Sequence, residues 1–162
     1  MYTDLQYLES YPLHTDALAL YQYWLEKRGG RQMPRRQDID ALEIPPRLLP
    51  SISIVEVVPD SRRYVYRLVG TGEARARGFD PTGRPVFGNS FAVEESDAEA
   101  CYDQVVATKA ALVDPVRFEV AGSSYVSEQT IFLPLSDDGI SVDKIIVFSV
   151  NRFAFAGMQW GL

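Results

Sequence analysis

Two segments of this chain are apolar at successive positions, not at alternate ones. In Ile52-Ser53-Ile54-Val55-Glu56-Val57-Val58, Ile52 and Ile54 fall on one face of a strand and Val55 and Val57 on the other. In Val142 to Asn151, Ile145 and Val147 oppose Ile146, Phe148 and Val150. A sheet wet on one side shows a polar residue at every second place of its strands. These strands do not, so the sheet they form needs cover on both faces. One layer of helices supplies one cover. The other must come from an N-terminal helix or from a second copy of the chain.

The remaining pattern supplies candidates. Leu13, Ala17, Leu20, Tyr21, Trp24 and Leu25 recur at helical spacing and predict a helix from about Thr15 to Arg28, capped by Thr15 or Asp16 and ended by Gly29-Gly30. Its aromatic stripe faces the sheet. Arg31 to Pro50 is broken by four prolines and reads as a linker with a short helical turn. A hairpin joins Ile52–Val58 to Arg63–Val69 through Pro59-Asp60-Ser61. Gly70 to Phe91 is glycine-rich and predicts short turns. Ser96 and Glu99 have capping-box spacing at the start of a helix that Asp114-Pro115 closes, with Ala98, Cys101, Tyr102, Val105, Thr108 and Leu112 on its apolar face. Three strands follow: Val116–Ala121, Tyr125–Leu135 and, after the turn signal Asp138-Gly139, Val142–Asn151. Arg117 opposite Glu128 would mark the first of these as a charged sheet edge.

Chemistry-bearing residues are few. His14 is the single histidine and Cys101 the single cysteine, so a histidine-based triad, a histidine-rich metal site and an internal disulfide have no residues to form from. His14 precedes the first helix and reads as a cap or surface residue. Gly70-Thr71-Gly72-Glu73-Ala74-Arg75 has arginine where a dinucleotide fingerprint needs its third glycine, and reads as a tight turn. Glu94-Glu95 and Asp137-Asp138 read as solvated acids. Arg31, Arg35 and Arg36 stand beside Asp38 and Asp40 and read as paired within the chain. A net charge of −6 opposes nucleic-acid binding. No run of ~18 apolar residues is present to span a membrane, Met1-Tyr2-Thr3-Asp4-Leu5 does not open with the basic region of a secretion signal, and the lone cysteine makes a reducing cytoplasm the expected location.

A pattern running through these segments carries a resemblance. Tyr23-Trp24-Leu25-Glu26-Lys27-Arg28-Gly29-Gly30-Arg31-Gln32-Met33-Pro34-Arg35-Arg36-Gln37-Asp38-Ile39-Asp40 resembles the opening of a PAS-like family found mainly in alphaproteobacteria, largely as small stand-alone proteins without an assigned role. Leu49-Pro50-Ser51-Ile52, Tyr64-Val65-Tyr66-Arg67-Leu68-Val69-Gly70-Thr71 and Gly78-Phe79-Asp80-Pro81-Thr82-Gly83 continue it, departing at Pro81, where that family usually has a bulkier residue. The likeness spans roughly Leu18 to Arg152. It implies an α+β PAS-like fold: a five-stranded antiparallel sheet of order 2-1-5-4-3, helices on one face and a cavity between them. It implies no activity, because a fold is not a function. Light-sensing PAS domains attack flavin with a cysteine in an Asn-Cys-Arg-Phe-type motif, which Glu99-Ala100-Cys101-Tyr102-Asp103 does not match. Cys101 therefore reads as a buried structural thiol.

The resulting expectation divides the chain into an N-terminal helix and linker (1–50), a PAS-like domain (51–152) and an apolar tail (153–162). It is a sensory module that binds a small molecule non-covalently, or else a ligand-free dimerisation or docking module, and no enzyme. Tyr66, Arg67, Tyr102, Phe118 and Phe148 are the candidate ligand residues. Arg67 would pair with an acid such as Asp80, clamp an anionic ligand, or simply be exposed. Tyr21, Trp24, Leu25, Phe155 and Trp160 are the candidate interaction residues. The expected partners are a small molecule, a second copy of the chain or another protein, without nucleic acid or membrane. The identity of any cofactor is left open.

Overall fold

The computed structural model describes residues 12–90, 95–115, 118–119 and 125–153, with the backbone alone at 95, 96, 118, 119, 125 and 153. Helix α1 is Thr15–Arg28. His14 is its cap: Nδ1 accepts the Asp16 backbone N–H at 3.2 Å, so Thr15 and Asp16 lie inside the first turn. Gly29, at φ 57°, ends the helix by donating its N–H to Leu25 and Glu26 carbonyls. The proline-rich segment is three 3-10 turns, at Arg36–Asp38, Ala41–Glu43 and Pro46–Ser51.

The strands are β1 (Ile52–Val57), β2 (Tyr64–Val69), β3 (Leu112–Asp114), β4 (Phe118–Glu119), β5 (Tyr125–Leu135) and β6 (Lys144–Phe153). Helices α2 (Thr71–Arg77) and α3 (Glu95–Thr108) lie between β2 and β3. The sheet is antiparallel in the order β2-β1-β6-β5-β3, with β4 also paired to β5. Taking β3 and β4 as two stretches of one edge, this is the expected 2-1-5-4-3 arrangement of five.

Three local readings change. Helix α3 ends at Thr108 because Lys109 turns into the left-handed region at φ 56°, so Leu112 leaves the helix face and sits on β3 opposite Phe132. Asp114 is a strand residue, not a helix stop. Helix α3 starts at Glu95, one residue before the Ser96 read as its cap, whose side chain lies outside the described residues, as does Arg117. Glu128 pairs with Arg152 Nε, at 2.7 Å.

Register assigns the faces, since directly opposed residues point the same way. Val55 faces both Tyr66 and Ile145, and Phe132 faces both Leu112 and Val147. These share the face under α2 and α3, where the Tyr102 ring lies 5.0 Å from Tyr64 and 5.3 Å from Phe132. Phe148 faces Ile52 and Ile131 on the opposite side. That side is covered by α1. Ala17, Leu20, Tyr21 and Trp24 are buried there, Trp24 Nε1 donates to the Pro134 carbonyl at 2.9 Å, and the His14 N–H reaches Gln129 Oε1 at 3.0 Å. Of the two covers the strand pattern allowed, the chain's own helix supplies it. Residues from Ala17 to Leu48 share one hydrophobic core with the sheet.

Candidate functional site

Between the sheet and its two later helices lies a layer that buries polar and charged side chains. It starts from the exit of β2. A Cβ on Gly70 would stand 2.3 Å from the Pro50 carbonyl oxygen, and one on Gly72 would stand 2.9 Å from it. The two glycines therefore let the backbone pass against the turn before β1. The weak phosphate-loop pattern is a packing device. This close passage seats α2 on the sheet, and the i, i+4 spacing of Glu73 and Arg77 turns both side chains inward.

Glu73 is 3% exposed. Its carboxylate accepts a hydrogen bond from Asn151 Nδ2 at 2.6 Å and lies 3.6 Å from Arg77 Nη1. Arg77 Nη2 donates to the Tyr66 hydroxyl at 3.2 Å, and the guanidinium stacks 5.1 Å from the Tyr66 ring centre. Burial pushes the Glu73 carboxyl up to about 7, against the opposing pull of Arg77 and Asn151. Burial also raises the Tyr102 phenol well above its ordinary value. Cys101 points its thiol at Asp114, 3.7 Å away, and burial and that acid push it up to about 12, so it stays protonated at neutral pH. On the rim, Asp103 accepts from the Tyr64 hydroxyl and pairs with Arg63.

The candidates separate accordingly. Tyr66 and Tyr102 come together in this layer. Phe148 does not join them: it belongs to the apolar face under α1. Arg67 is exposed at the surface and pairs with Glu56, while Asp80 binds the Thr82 backbone and hydroxyl. Arg67 is therefore displaced as a cavity clamp. Phe118 lies on β4 opposite Ser127, and its side chain is outside the described residues. Of the interaction candidates, Tyr21 and Trp24 are buried against the chain's own sheet and are not available as an interface, and Leu25 is half-buried against the same core. Phe155 and Trp160 lie outside the described residues. Arg31 pairs with Asp38 at 2.7 Å, as the local charge pattern suggests.

Sequence reasoning missed Glu73, Arg77 and Asn151. The i, i+4 acid–base spacing was a usable signal, but such pairs usually sit on solvated helix faces. Nothing local marks Asn151. The cluster offers a cation, a carboxyl group, an amide and two phenols within one enclosed layer. Each of these groups can donate or accept hydrogen bonds. Among the described residues, no group of three His, Cys, Asp or Glu side chains is placed to hold a metal ion.

A sequence model of the PAS domain matches residues 13–147. The chain belongs to the PAS family. One solved structure supports the fold, and two more are similar to a lesser degree. A variant of Vivid superposes with a TM-score of 0.50 at 11% identity, covering 88% of this chain and 96% of that one. A fungal light-oxygen-voltage domain photoreceptor gives 0.49 at 13%, covering 85% and 92%. A light-oxygen-voltage domain studied with a flavin analogue gives 0.47 at 14%, covering 68% and 84%. At these identities the likeness speaks of the fold alone. No curated protein matches the chain in sequence.

Proposed function

We propose that this PAS domain is a cytoplasmic sensory or regulatory module, without catalysis of its own, whose non-covalent ligand site is the polar layer around Glu73, Arg77, Tyr66, Tyr102 and Asn151. The observation that carries this is the buried Glu73–Arg77 pair, with side chains 3% and 7% exposed. Burying two charges is unfavourable unless geometry and hydrogen bonds compensate, and a hydrophobic pair of equal volume often serves a fold as well. Perturbed, enclosed titratable groups with convergent polar partners are the mark of a binding site. The ligand would exchange hydrogen bonds with this cluster, and the signal would leave through contacts with a partner protein.

Native mass spectrometry of the purified protein tests it. The expected result is a retained small molecule that is lost in Arg77→Met and kept in Phe148→Leu. A bare mass, together with no thermal shift from any member of a metabolite library, counts against it.

A second reading is a dimerisation or docking module. It is favoured by exposed apolar side chains: Leu68 on the outer strand β2, Phe87 just after the segment paired to that strand, and Phe79 after α2. The same spectra report it: a dimer that Phe87→Asp dissociates supports this reading, and a monomer at micromolar concentration opposes it.

A further inference from the structure

A second charged feature lies outside the PAS layer. A cleft of about 350 Å³ opens between the turn at 35–37 and the loop joining β5 to β6, lined by Arg35, Arg36, Gln37, Asp137 and Lys144. Its two walls lie about a hundred residues apart in sequence and are held together by hydrogen bonds from backbone N–H groups. Ser136 N–H donates to the Pro34 carbonyl at 2.9 Å, and the Arg36 N–H donates to Asp137 Oδ1 at 3.2 Å. Asp38 Oδ2 takes the Arg35 backbone N–H at 2.8 Å, which fixes where the Arg35 side chain starts.

The charges in the cleft are unevenly used. Lys144 lies 3.6 Å from Asp137 and 3.4 Å from Asp143. Arg36 spends Nη1 on the Ile39 carbonyl at 3.1 Å. The guanidiniums of Arg35 and Arg36 make no ion pair within 4 Å among the described residues, although Asp38, which pairs with Arg31, also attracts Arg35. The lining itself carries Arg35, Arg36 and Lys144 against Asp137, a charge of +2, with the carboxylates of Asp143 and Asp38 at its border, on a chain of net −6. That balance favours one compact anion over a polyanion, which the rest of the surface repels. The volume sits at the small end of ligand sites, roughly 300–1,000 Å³. Arginine forks suit paired oxygens such as those of phosphate or carboxylate.

We propose that this cleft binds a small oxyanion, a phosphate or carboxylate group of a metabolite, between Arg35 and Arg36 on one wall and Lys144 on the other. Bound there, the anion bridges the N-terminal segment to the β5–β6 loop and strengthens the junction that holds α1 on the sheet. The site is independent of the ligand layer under α2 and α3.

Amide NMR titration with inorganic phosphate, with succinate and with neutral succinamide tests it. The expected result is saturable shifts at residues 35–37 together with 137 and 144, for at least one anion and not for succinamide. Whichever anion binds more tightly names the group. Arg35→Ala and Lys144→Gln should each weaken that binding about tenfold, while Arg62→Ala, remote and tied to Asp60, leaves it unchanged. Melting curves check that the variants fold. Three results overturn the proposal: no saturable shift at millimolar phosphate or succinate, equal shifts with succinamide, or unchanged affinity in Arg35→Ala.

Discussion

Under α1 the sheet presents Ile52, Ile54, Ile131, Leu133, Ile146 and Phe148, and the helix answers with Leu20 and Trp24. Under α2 and α3 it presents Tyr64, Tyr66 and Phe132, and the helices answer with Tyr102, Glu73 and Arg77. Both faces are closed by the same chain. Among the described residues, only the face under α2 and α3 buries an ion pair. The apolar face does what a core does: it stabilises by removing hydrocarbon from water. The other face carries groups that stability alone does not call for, and that contrast is why the site is placed there.

The contrast breaks most readily at Trp24. Trp24→Ala removes the largest fully buried side chain of the apolar face and its bond to Pro134. It should cost about 3–5 kcal/mol, read from urea unfolding. A loss under about 1 kcal/mol would mean that α1 is a loosely docked leader.

Glu73 sharpens the comparison from the other face. Its folded pKa of about 7 lies above the ordinary 4.5, so between those values the native state holds more protons than the unfolded state. Its contribution is fully present below about pH 4.5 and is lost as pH rises through about 7. Raising the pH from 5 to 8 should therefore remove stability on the order of 3 kcal/mol. Glu73→Gln should flatten that slope, and an unchanged slope would place the titrating group elsewhere.

Gly70→Ala drives a methyl into the Pro50 carbonyl and should cost about 1–3 kcal/mol by forcing α2 off its seat. Near-UV circular dichroism from the tyrosine layer should change, while the Trp24 fluorescence maximum holds. The smallest effect belongs to Arg67→Ala. An exposed pair with Glu56 is worth about 0–1 kcal/mol, and ligand retention should not change. A lost ligand in that variant would return Arg67 to the site.

The helix stripe from Ala17 to Trp24, the two hairpins and the need for two covers were legible in the residues. The strand order came with the family resemblance. The facing of the strand residues was not legible, and the reason is the same feature that demanded two covers. Alternation tells inside from outside only when one face is polar. Where both are apolar, Phe148 and Tyr66 look equally suited to either side, and the shift of register between Ile54 and Val55 disturbs the count further. Arg67 misled for a related reason: among apolar neighbours it looked buried, yet it stands on an outer strand whose side chain reaches Glu56 in the open. The end of α3 depended on one left-handed residue, Lys109, of a type that seldom adopts that conformation.

By itself the sequence determined that this chain needs a sheet covered twice, that it carries the helix to do so, and that histidine and cysteine chemistry has almost nothing to work with. Those are matters of composition and of spacing along the chain. Only the tertiary structure decided which face holds the polar layer, that Glu73, Arg77 and Asn151 meet there, and that Arg35 and Lys144 share a cleft. Each of those joins residues tens of positions apart or turns a side chain one way or the other. Pairing register and the close passage of Gly70 over Pro50 settle such choices, and neither is written in any local pattern.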